Sequence, residues 1–453
     1  MTTPEARERT GWVFYDWANQ VFQTSVVTVF LSLYLTGVAE SAARASGQPC
    51  TGRTALVDCN VSLFGIDVAA GSVYGYLISL ATLLQVLVLP ITGAIADRTQ
   101  DKRRMLGLSA FVGAAATAAL ALVAGTNWQL GFALFLVANT AYGASIVVYY
   151  AFLPELARPD ERDALSARGW AFGYLGGGLA LLLHLTIYLS HDAIGLSEAD
   201  AVRICFLTAG MWWAGFTLVP LRRLRRHQKP QGDEHGAAVF TAGFRQLAAT
   251  LRDARRFPLT LAFLAAYLVF ADGISTVSQI AGLYGERELL LPRSVLIATI
   301  LIVQFVAYGG AVLHGRLAAR FGAKRTVLGS LVGWTAVVCC AYALIPGAVG
   351  PFLAVGVGIG VVLGGTLALT RSMFSQLIPP GREAEYFSLY EIGEKGTSWL
   401  GPLLFATVAD VTGSFRPAIA SLVVFFVVGG VALAFVPIRR AIRAAGNEQP
   451  LRV

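Results

Sequence analysis

The sequence predicts an all-α membrane protein in which twelve transmembrane helices form two pseudo-symmetric six-helix halves. The first observation is composition, because 56% of the 453 residues are hydrophobic and 14% are charged, whereas soluble domains are about one-quarter charged. The second is the number of apolar stretches. A spanning helix needs about 20 mostly apolar residues, and the chain contains twelve such stretches. The third is a diverged internal repeat that relates the two halves.

The predicted spans occupy most of the chain, at residues 12–38, 68–96, 105–125, 128–153, 168–190, 201–221, 257–284, 293–315, 326–346, 350–375, 385–410 and 415–437. They divide it into an N-terminal half (1–221), a cytoplasmic linker (222–256), a C-terminal half (257–437) and a short cytoplasmic tail (438–453). In the linker, one face of an amphipathic helix carries Phe240, Phe244, Leu247 and Leu251. Such a helix is expected to lie in the membrane interface.

The net charge of +8 is interpreted as a topology signal. Most of the 35 Lys and Arg residues fall in segments that face the cytoplasm if both termini are cytoplasmic, as the positive-inside rule requires. The sequence therefore predicts a multi-pass protein of the cell (inner) membrane with both termini in the cytoplasm. The basic excess is assigned to contact with anionic lipid, and no nucleic-acid partner is expected.

The five cysteines show no metal-binding spacing. Cys50 and Cys59 share the first outer loop, where either a disulfide or two free thiols is compatible with the sequence. A membrane-embedded enzyme would need a clustered catalytic set at one depth, and no such set, phosphate-binding loop or nucleophile elbow is found. The sequence thus predicts no enzyme, no metal and no cofactor.

The two halves show the signs of a duplication. Three pairs of segments align in the same order at nearly the same offset: GAIADRTQDKR from Gly93 with GRLAARFGAKR from Gly315, Leu153-Pro154 with Ile378-Pro379, and Leu175-Gly176 with Leu400-Gly401. One match would be chance in a chain rich in Gly and Leu, but three in equivalent places indicate a repeat.

Several motifs together resemble the major facilitator superfamily. They are GxxxDRxxxKRR from Gly93, Tyr15-Asp16-Trp17-Ala18-Asn19, Gly169-Trp170-Ala171-Phe172-Gly173-Tyr174, Asp272-Gly273, Arg371-Ser372 and Gly401-Pro402-Leu403-Leu404. Over about residues 12–437 the chain is similar to the branch that contains the autophagy-linked vacuolar amino-acid effluxers and their bacterial relatives.

The resemblance implies a secondary transporter that works by alternating access, with its site between the halves near the midplane. We expect efflux or exchange of an amino acid with proton coupling, by a monomer in the lipid bilayer. A sugar or organic-anion carrier and a non-transporting nutrient sensor stay open as alternatives.

Polar residues inside spans are costly, so their arrangement is informative. Spans one, seven and eleven each carry a polar stripe at i, i+3, i+4 and i+7, which places its members on one helical face: Asp16, Asn19, Gln20 and Gln23; Asp272, Ser275, Thr276 and Gln279; Glu391, Glu394, Lys395 and Ser398. Three such stripes predict a water-filled cavity, although hydroxyl and amide groups can also join helices.

We assign the substrate or proton site first to the deep acids Asp272 and Glu394. Asp272 is favoured as the proton carrier because its stripe holds no cation, whereas Glu394 has Lys395 beside it. Lys395 is expected to pair with Glu391, within the site or as a structural salt bridge. Further candidates for this site are Gln23, Gln279, Asn139 and Tyr142 in span four, Gln304 in span eight, and Arg371, which would bind an anionic substrate group or form a gate ion pair.

Asp16 and Asn19 lie nearer the cytoplasmic end of span one and are predicted to form a gate. The resemblance implies a second closing element, a latch formed by Asp97, Arg98 and Arg104 after span two. There Asp97 would approach the N-terminus of a neighbouring helix, where the helix dipole favours an anion. The equivalent residue of the second half is Ala319, so this latch is expected to be lopsided.

The orientation can be tested with single cysteines on a cysteine-free background. Gly232→Cys and Gln100→Cys should be shielded from an impermeant thiol reagent in intact cells, because both positions lie in basic cytoplasmic segments. Gly47→Cys should react. Labelling of Gln100→Cys from outside would overturn the orientation.

Overall fold

The computed structural model describes residues 3–452 except 49, 51–58, 64, 99–100, 226–251 and 253–254. Within this part, eleven helical segments are long and apolar enough to cross a membrane: Pro4–Ala45, Ala70–Arg98, Lys102–Leu122, Trp128–Leu156, Pro159–Leu189, Glu198–Arg223, Pro258–Arg287, Ser294–Phe321, Ala323–Tyr342, Val349–Gln376 and Phe415–Phe435. The first six, spans one to six, form what we call the N half, and the others, spans seven to ten and twelve, belong to the C half.

Span eleven is not a single helix. It consists of Glu383–Thr397 followed by Leu400–Thr412, with a turn at Ser398 and Trp399. The break has a local cause, because Pro402 has no N–H to donate and its ring clashes with the carbonyl four residues earlier. The twelve predicted spans therefore correspond to eleven segments that could each cross the membrane and one pair of shorter helices.

Span one is irregular in its middle. The α-helix Pro4–Val21 continues as a π-helical segment, Phe22–Phe30, and then as the α-helix Leu31–Ala45. In the π-helical segment the Thr28 hydroxyl donates to the carbonyl of Gln23, five residues earlier, at 2.7 Å. Such wide turns often occur at functional sites.

The outer loop after span one contains an antiparallel hairpin, Asn60–Leu63 and Ile66–Ala69, in which Val61 pairs with Val68. Cys50 and Cys59 form a disulfide in this loop. Of the two alternatives that the sequence left open, the structure has the disulfide. The predicted linker helix at Phe240, Phe244, Leu247 and Leu251 lies outside the described residues, so the linker boundaries stay a prediction.

Glycines allow the helices to approach closely. In span five, a Cβ at Gly169 would lie 2.7 Å from an Asp16 carboxylate oxygen, and one at Gly176 would lie 2.8 Å from the Trp17 carbonyl of span one. In span ten, a Cβ at Gly364 would lie 2.1 Å from the Ala307 carbonyl of span eight. Small residues of this kind are the usual means by which membrane helices pack.

The chain after span twelve crosses the face of the molecule that carries both ends of the chain, which we call the terminal face. It forms the short helix Ile438–Ala444 and a tail, residues 446–452. In the tail, Asn447 donates to the carbonyls of Gln376 and Ile378, at 2.8 and 2.7 Å. The tail thereby stays docked against span ten.

Replacing Gly364 with Ala should destabilise the fold, because the added methyl would overlap the Ala307 carbonyl, and overpacking typically costs about 1–3 kcal/mol. Gly329→Ala is the matched control, since Gly329 is an exposed helical glycine with no atom within 4 Å of a built Cβ. We expect a lower apparent melting temperature in detergent for Gly364→Ala and an unchanged or higher one for Gly329→Ala. Equal temperatures would contradict the packing argument.

Candidate functional site

A cavity of about 500 Å³ lies between the two halves. The N half contributes residues of spans one and five, and the C half contributes residues of spans seven to twelve. Its polar lining consists of amides, hydroxyls and one carboxylate: Gln20, Gln23, Thr24, Thr28, Tyr174, Ser275, Ser278, Gln279, Tyr284, Thr299, Gln304 and Glu394. The four glutamine side chains come from both halves, so a bound solute would touch both.

Glu394 supplies the carboxylate of this lining. It lies in the last turn of the helix Glu383–Thr397, directly before the break in span eleven. The Tyr267 hydroxyl of span seven donates to its Oε2. Tyr267 is itself held by stacking on Tyr390, with ring centres 4.2 Å apart. The acid is therefore fixed at the cavity wall by a rigid neighbour.

Asp272 lies beside the break in span eleven and is not among the described residues of the cavity lining. Its Oδ2 accepts a hydrogen bond from the Gly401 N–H at 2.7 Å, at the start of the helix Leu400–Thr412. Its Oδ1 is buried and has no hydrogen-bond partner within the described part of the chain. Asp272 thus caps a helix N-terminus, where the dipole favours a negative charge.

Asp97 occupies the same kind of position on the first helix of span eleven. Its two carboxylate oxygens accept hydrogen bonds from the N–H groups of Ala384 and Glu385, at 3.0 and 2.8 Å. The side chain is 4% exposed, and the Lys102 ammonium lies 3.7 Å away. The structure places Asp97 at the neighbouring helix N-terminus that the motif implies, and its action as a latch stays a prediction.

A buried ion pair joins spans one and ten. The Arg371 Nη1 lies 3.5 Å from the Asp16 Oδ2, and the Tyr149 hydroxyl donates to that same oxygen at 2.7 Å. Arg371 also donates from Nε and Nη2 to the hydroxyl and carbonyl oxygens of Ser166 in span five, at 2.9 and 3.0 Å. All three hydrogen-bonding nitrogens of this C-half guanidinium therefore bind the N half.

Two further hydrogen bonds close the halves against each other near the terminal face. The Ser166 hydroxyl donates to the Ala368 carbonyl at 2.6 Å, and Arg162 donates to the Ser375 carbonyl at 3.1 Å. Together with the Arg371 and Asp97 contacts, they lie between the cavity and the terminal face. In this conformation the cavity is closed towards that face.

The structure divides the predicted substrate or proton residues into two groups. Gln23, Gln279, Gln304 and Glu394 line the cavity. Asp272, Glu391, Lys395, Asn139, Tyr142 and Arg371 are not in its described lining. Arg371 forms the gate ion pair, which was one of its two predicted roles, because its guanidinium is inserted into the N half and is 1% exposed.

The prediction that Lys395 pairs with Glu391 is wrong within the described residues, where no ion pair joins them. Glu391 faces the buried interior and is 7% exposed. Lys395 lies in the last helical turn, where the free carbonyls favour a cation. Of the span-four candidates, Asn139 accepts at its carbonyl from Gln85, and Tyr142 packs against Phe22 with ring centres 5.4 Å apart.

The remaining gate candidates differ in their contacts. The Asn19 side chain donates to the Tyr15 carbonyl of its own helix at 2.8 Å. Arg104 forms a local pair with Asp101 at 3.5 Å and is 78% exposed. Arg98 is exposed at the end of span two. Asp16 and Asp97 are joined to the other half by hydrogen bonds.

Sequence reasoning missed the surroundings of Arg371. Trp12, Tyr150, Trp170 and Ser166 all contact its guanidinium. A signal was present, because Trp12 lies four residues before Asp16 and therefore on the same helical face.

The family described as "Vacuole effluxer Atg22 like" matches residues 5–446 of the chain. The chain is 29% identical over 435 residues to the MFS-type transporter YxiO of Bacillus subtilis (strain 168), covering 95% of each protein. It is 28% identical over 519 residues to autophagy-related protein 22-2 of Emericella nidulans, covering 92% of this chain and 88% of that protein.

Solved structures share the fold at low sequence identity. The Escherichia coli fucose:proton symporter FucP superposes with a TM-score of 0.65 at 14% identity, over 95% of this chain and 98% of that one. The human organic anion transporter MFSD10 superposes with a TM-score of 0.66 at 17% identity, over 95% and 100% of the two chains. Both comparisons support the major facilitator fold and carry no information about the solute.

The described helices, the family match and these structures confirm the predicted all-α membrane fold of the major facilitator type and the predicted resemblance, but not the exact count of twelve spans. The chain is a multi-pass membrane transporter and not an enzyme, and it belongs to the Atg22-like family of the major facilitator superfamily.

Proposed function

We propose that this transporter moves a small polar solute bearing an amino group, with amino acids as the first class to test. It works by alternating access as a monomer in the cytoplasmic membrane, in efflux or exchange coupled to protons. The main support for this proposal is the cavity of about 500 Å³ between the halves, with the Glu394 carboxylate in its wall.

The chemistry of the lining supports an amino group as the anchored part of the solute. A carboxylate and an ammonium form a short charge-assisted hydrogen bond, about twice as strong as a neutral one. The side-chain amides of Gln23, Gln279 and Gln304 offer N–H donors for the other end of the solute, including a carboxylate. A cavity of this size is typical of small-molecule sites.

A sugar or polyol is the second candidate. Its hydroxyls would match the four glutamine amides, and the described lining contains no Lys or Arg. The same observation argues against an organic anion as the solute, because a buried anion needs a cationic partner. The sensor hypothesis is set aside, since the family is one of transporters.

A ligand screen by thermal shift separates the two candidates, because a ligand that binds only the folded protein raises its apparent stability. Amino acids and amines should raise the melting temperature of the wild type, and Glu394→Gln should abolish the shift. Sugars that shift both proteins equally would favour the second candidate and contradict the first.

The basic loops favour a cytoplasmic location for the terminal face, and the present conformation would then face outwards. Reaching the inward-facing state requires breaking the contacts of Asp97 and Arg371 across the halves. Each contact is compact and polar, so it can form in one state and be absent in the other.

Asp97→Asn should shift the population towards the inward-facing state. The substitution removes a negative charge at a helix N-terminus, worth about 0.3–1 kcal/mol, which corresponds to about a two- to fivefold change in the ratio of states. Spin labels at the exposed positions Arg158 and Arg439 would report the separation of the halves at the terminal face. Transport should fall while membrane insertion stays normal.

Asp200→Asn is the matched control for this experiment. Asp200 pairs with Arg203 within span six, away from the terminal face. An unchanged distance distribution in Asp97→Asn, with the control also unchanged, would make the latch interpretation untenable.

Asp272 and Glu394 are assigned different roles. Glu394 lines the cavity and would bind the solute, whereas Asp272 has one free buried oxygen and would carry the proton. In proteoliposomes, Asp272→Asn should lose accumulation driven by a pH gradient and keep solute counterflow, because exchange does not require proton release. The asparagine oxygen can still accept from Gly401, so the helix cap is preserved. Glu394→Gln should lose both activities.

Asp410→Asn provides the control, since Asp410 is an exposed residue at the outer end of span eleven. Gradient-driven uptake that survives in Asp272→Asn would remove this residue as the proton carrier. Survival in both Asp272→Asn and Glu394→Gln would leave a facilitator or exchanger without proton coupling through these acids.

A further inference from the structure

We propose that the N half contains a second binding site, a socket for an ammonium or guanidinium group, which Arg371 fills while the molecule is closed towards the terminal face. When the halves separate there, the socket becomes free for the cationic group of the solute. This inference rests on the proposed alternating access. It adds that the protein recognises the solute by its cationic group. The socket consists of Trp12, Asp16, Tyr149, Tyr150, Ser166 and Trp170.

Four aromatic rings surround the one guanidinium. The Arg371 Cζ lies 5.0 Å from the ring centre of Trp12, 5.5 Å from that of Tyr149, 4.8 Å from that of Tyr150 and 5.6 Å from that of Trp170. A cation within about 6 Å of an aromatic ring centre is attracted by the electron-rich face. Aromatic cages of this kind are the usual means of recognising organic cations.

The polar contacts complete the recognition of a cation. The Asp16 carboxylate provides the negative charge, and the hydroxyl and carbonyl oxygens of Ser166 accept two further N–H groups. Towards Arg371 each of these oxygens acts as an acceptor, which suits a group with several donors and a positive charge. The Tyr149 hydroxyl holds the carboxylate in place at 2.7 Å.

The socket belongs entirely to the N half, and its occupant comes from the C half. Trp12 and Asp16 are in span one, Tyr149 and Tyr150 are in span four, and Ser166 and Trp170 are in span five. Gly169 makes their close approach possible, because a Cβ there would lie 2.7 Å from Asp16 and 3.0 Å from both Trp12 and Tyr149. The socket is therefore fixed by contacts among its own helices.

Arg371 must leave the socket when the terminal face opens. It is carried by span ten, and the neighbouring Ser166–Ala368 hydrogen bond also joins that span to the N half. After separation, the Asp16 carboxylate would remain inside a span without its cation, which is unfavourable. The amino group of a solute would restore the missing charge. The solute and Arg371 would thus occupy one site in turn.

The test uses the full chain in lipid nanodiscs. Arg371→Ala vacates the socket, and methylguanidinium is the probe, with the neutral N-methylurea as its matched control. We expect saturable binding of methylguanidinium to Arg371→Ala, seen as a thermal shift and as a change in tryptophan fluorescence from Trp12 and Trp170. Binding should be at least about tenfold weaker in the Arg371→Ala/Asp16→Asn double variant, since a charged hydrogen-bond partner is lost. N-methylurea should bind neither protein.

A second measurement does not depend on the folding of Arg371→Ala. In the wild type, methylguanidinium should compete with Arg371 and increase the distance between spin labels at Arg158 and Arg439, whereas N-methylurea should leave it unchanged. A folded Arg371→Ala variant that binds no methylguanidinium, or a wild type whose distance does not respond, would overturn the socket. Solute binding that depends on Glu394 is measured separately, so the proposed function could survive that result.

Discussion

The backbone of a membrane-spanning segment must have its polar groups satisfied within the protein, because the hydrocarbon offers no hydrogen-bond partners. A continuous helix normally meets this requirement, but span eleven is not continuous. Pro402 interrupts it, so span eleven has two helix N-termini, one at Glu383 near the terminal face and one at Leu400 inside the molecule. Asp97 caps the first and Asp272 caps the second. Glu394 and Lys395 lie between these two caps, so the same break positions the acid of the cavity.

The two caps differ in what they join. Asp272 and Gly401 both belong to the C half, so this cap can persist through a transport cycle. Asp97 belongs to the N half and must release the N–H groups of Ala384 and Glu385 when the terminal face opens. The Asp272 cap is thus suited to a permanent structural role, whereas the Asp97 cap is suited to forming in one conformational state and breaking in the other.

The Asp16–Arg371 ion pair, like the Asp97 cap, joins the two halves and must break when the terminal face opens. A buried ion pair gives up hydration and regains little net stability from its formation, whereas removing one partner costs about 3–5 kcal/mol. Such a pair specifies a state without making it excessively stable. A gate that forms and breaks in every cycle needs this balance, and the rings of Trp12 and Tyr150 keep water from the pair while it is closed.

The fold was predictable because apolar length and basic loops are local properties of the sequence. The polar stripes were predictable for the same reason, and they identified Gln23, Gln279 and Glu394 in the cavity wall. The gate was less accessible to prediction. Asp16 and Arg371 are 355 residues apart in the chain, and the partner of Asp272 is a backbone N–H group, which no side-chain pattern reveals. The position of Asp97 at a helix N-terminus was expected only because of the resemblance to the superfamily.

The internal repeat explains one remaining asymmetry of the terminal face. Asp97 of the N half caps span eleven, but its equivalent in the C half is Ala319, which cannot cap span five. The tail occupies this place instead. Its Leu451 N–H donates to Asp160 at the start of span five, at 2.6 Å, and its Arg452 donates to the Ala319 carbonyl at 2.9 Å. The tail therefore contacts the start of span five at the place where the repeat has lost its carboxylate.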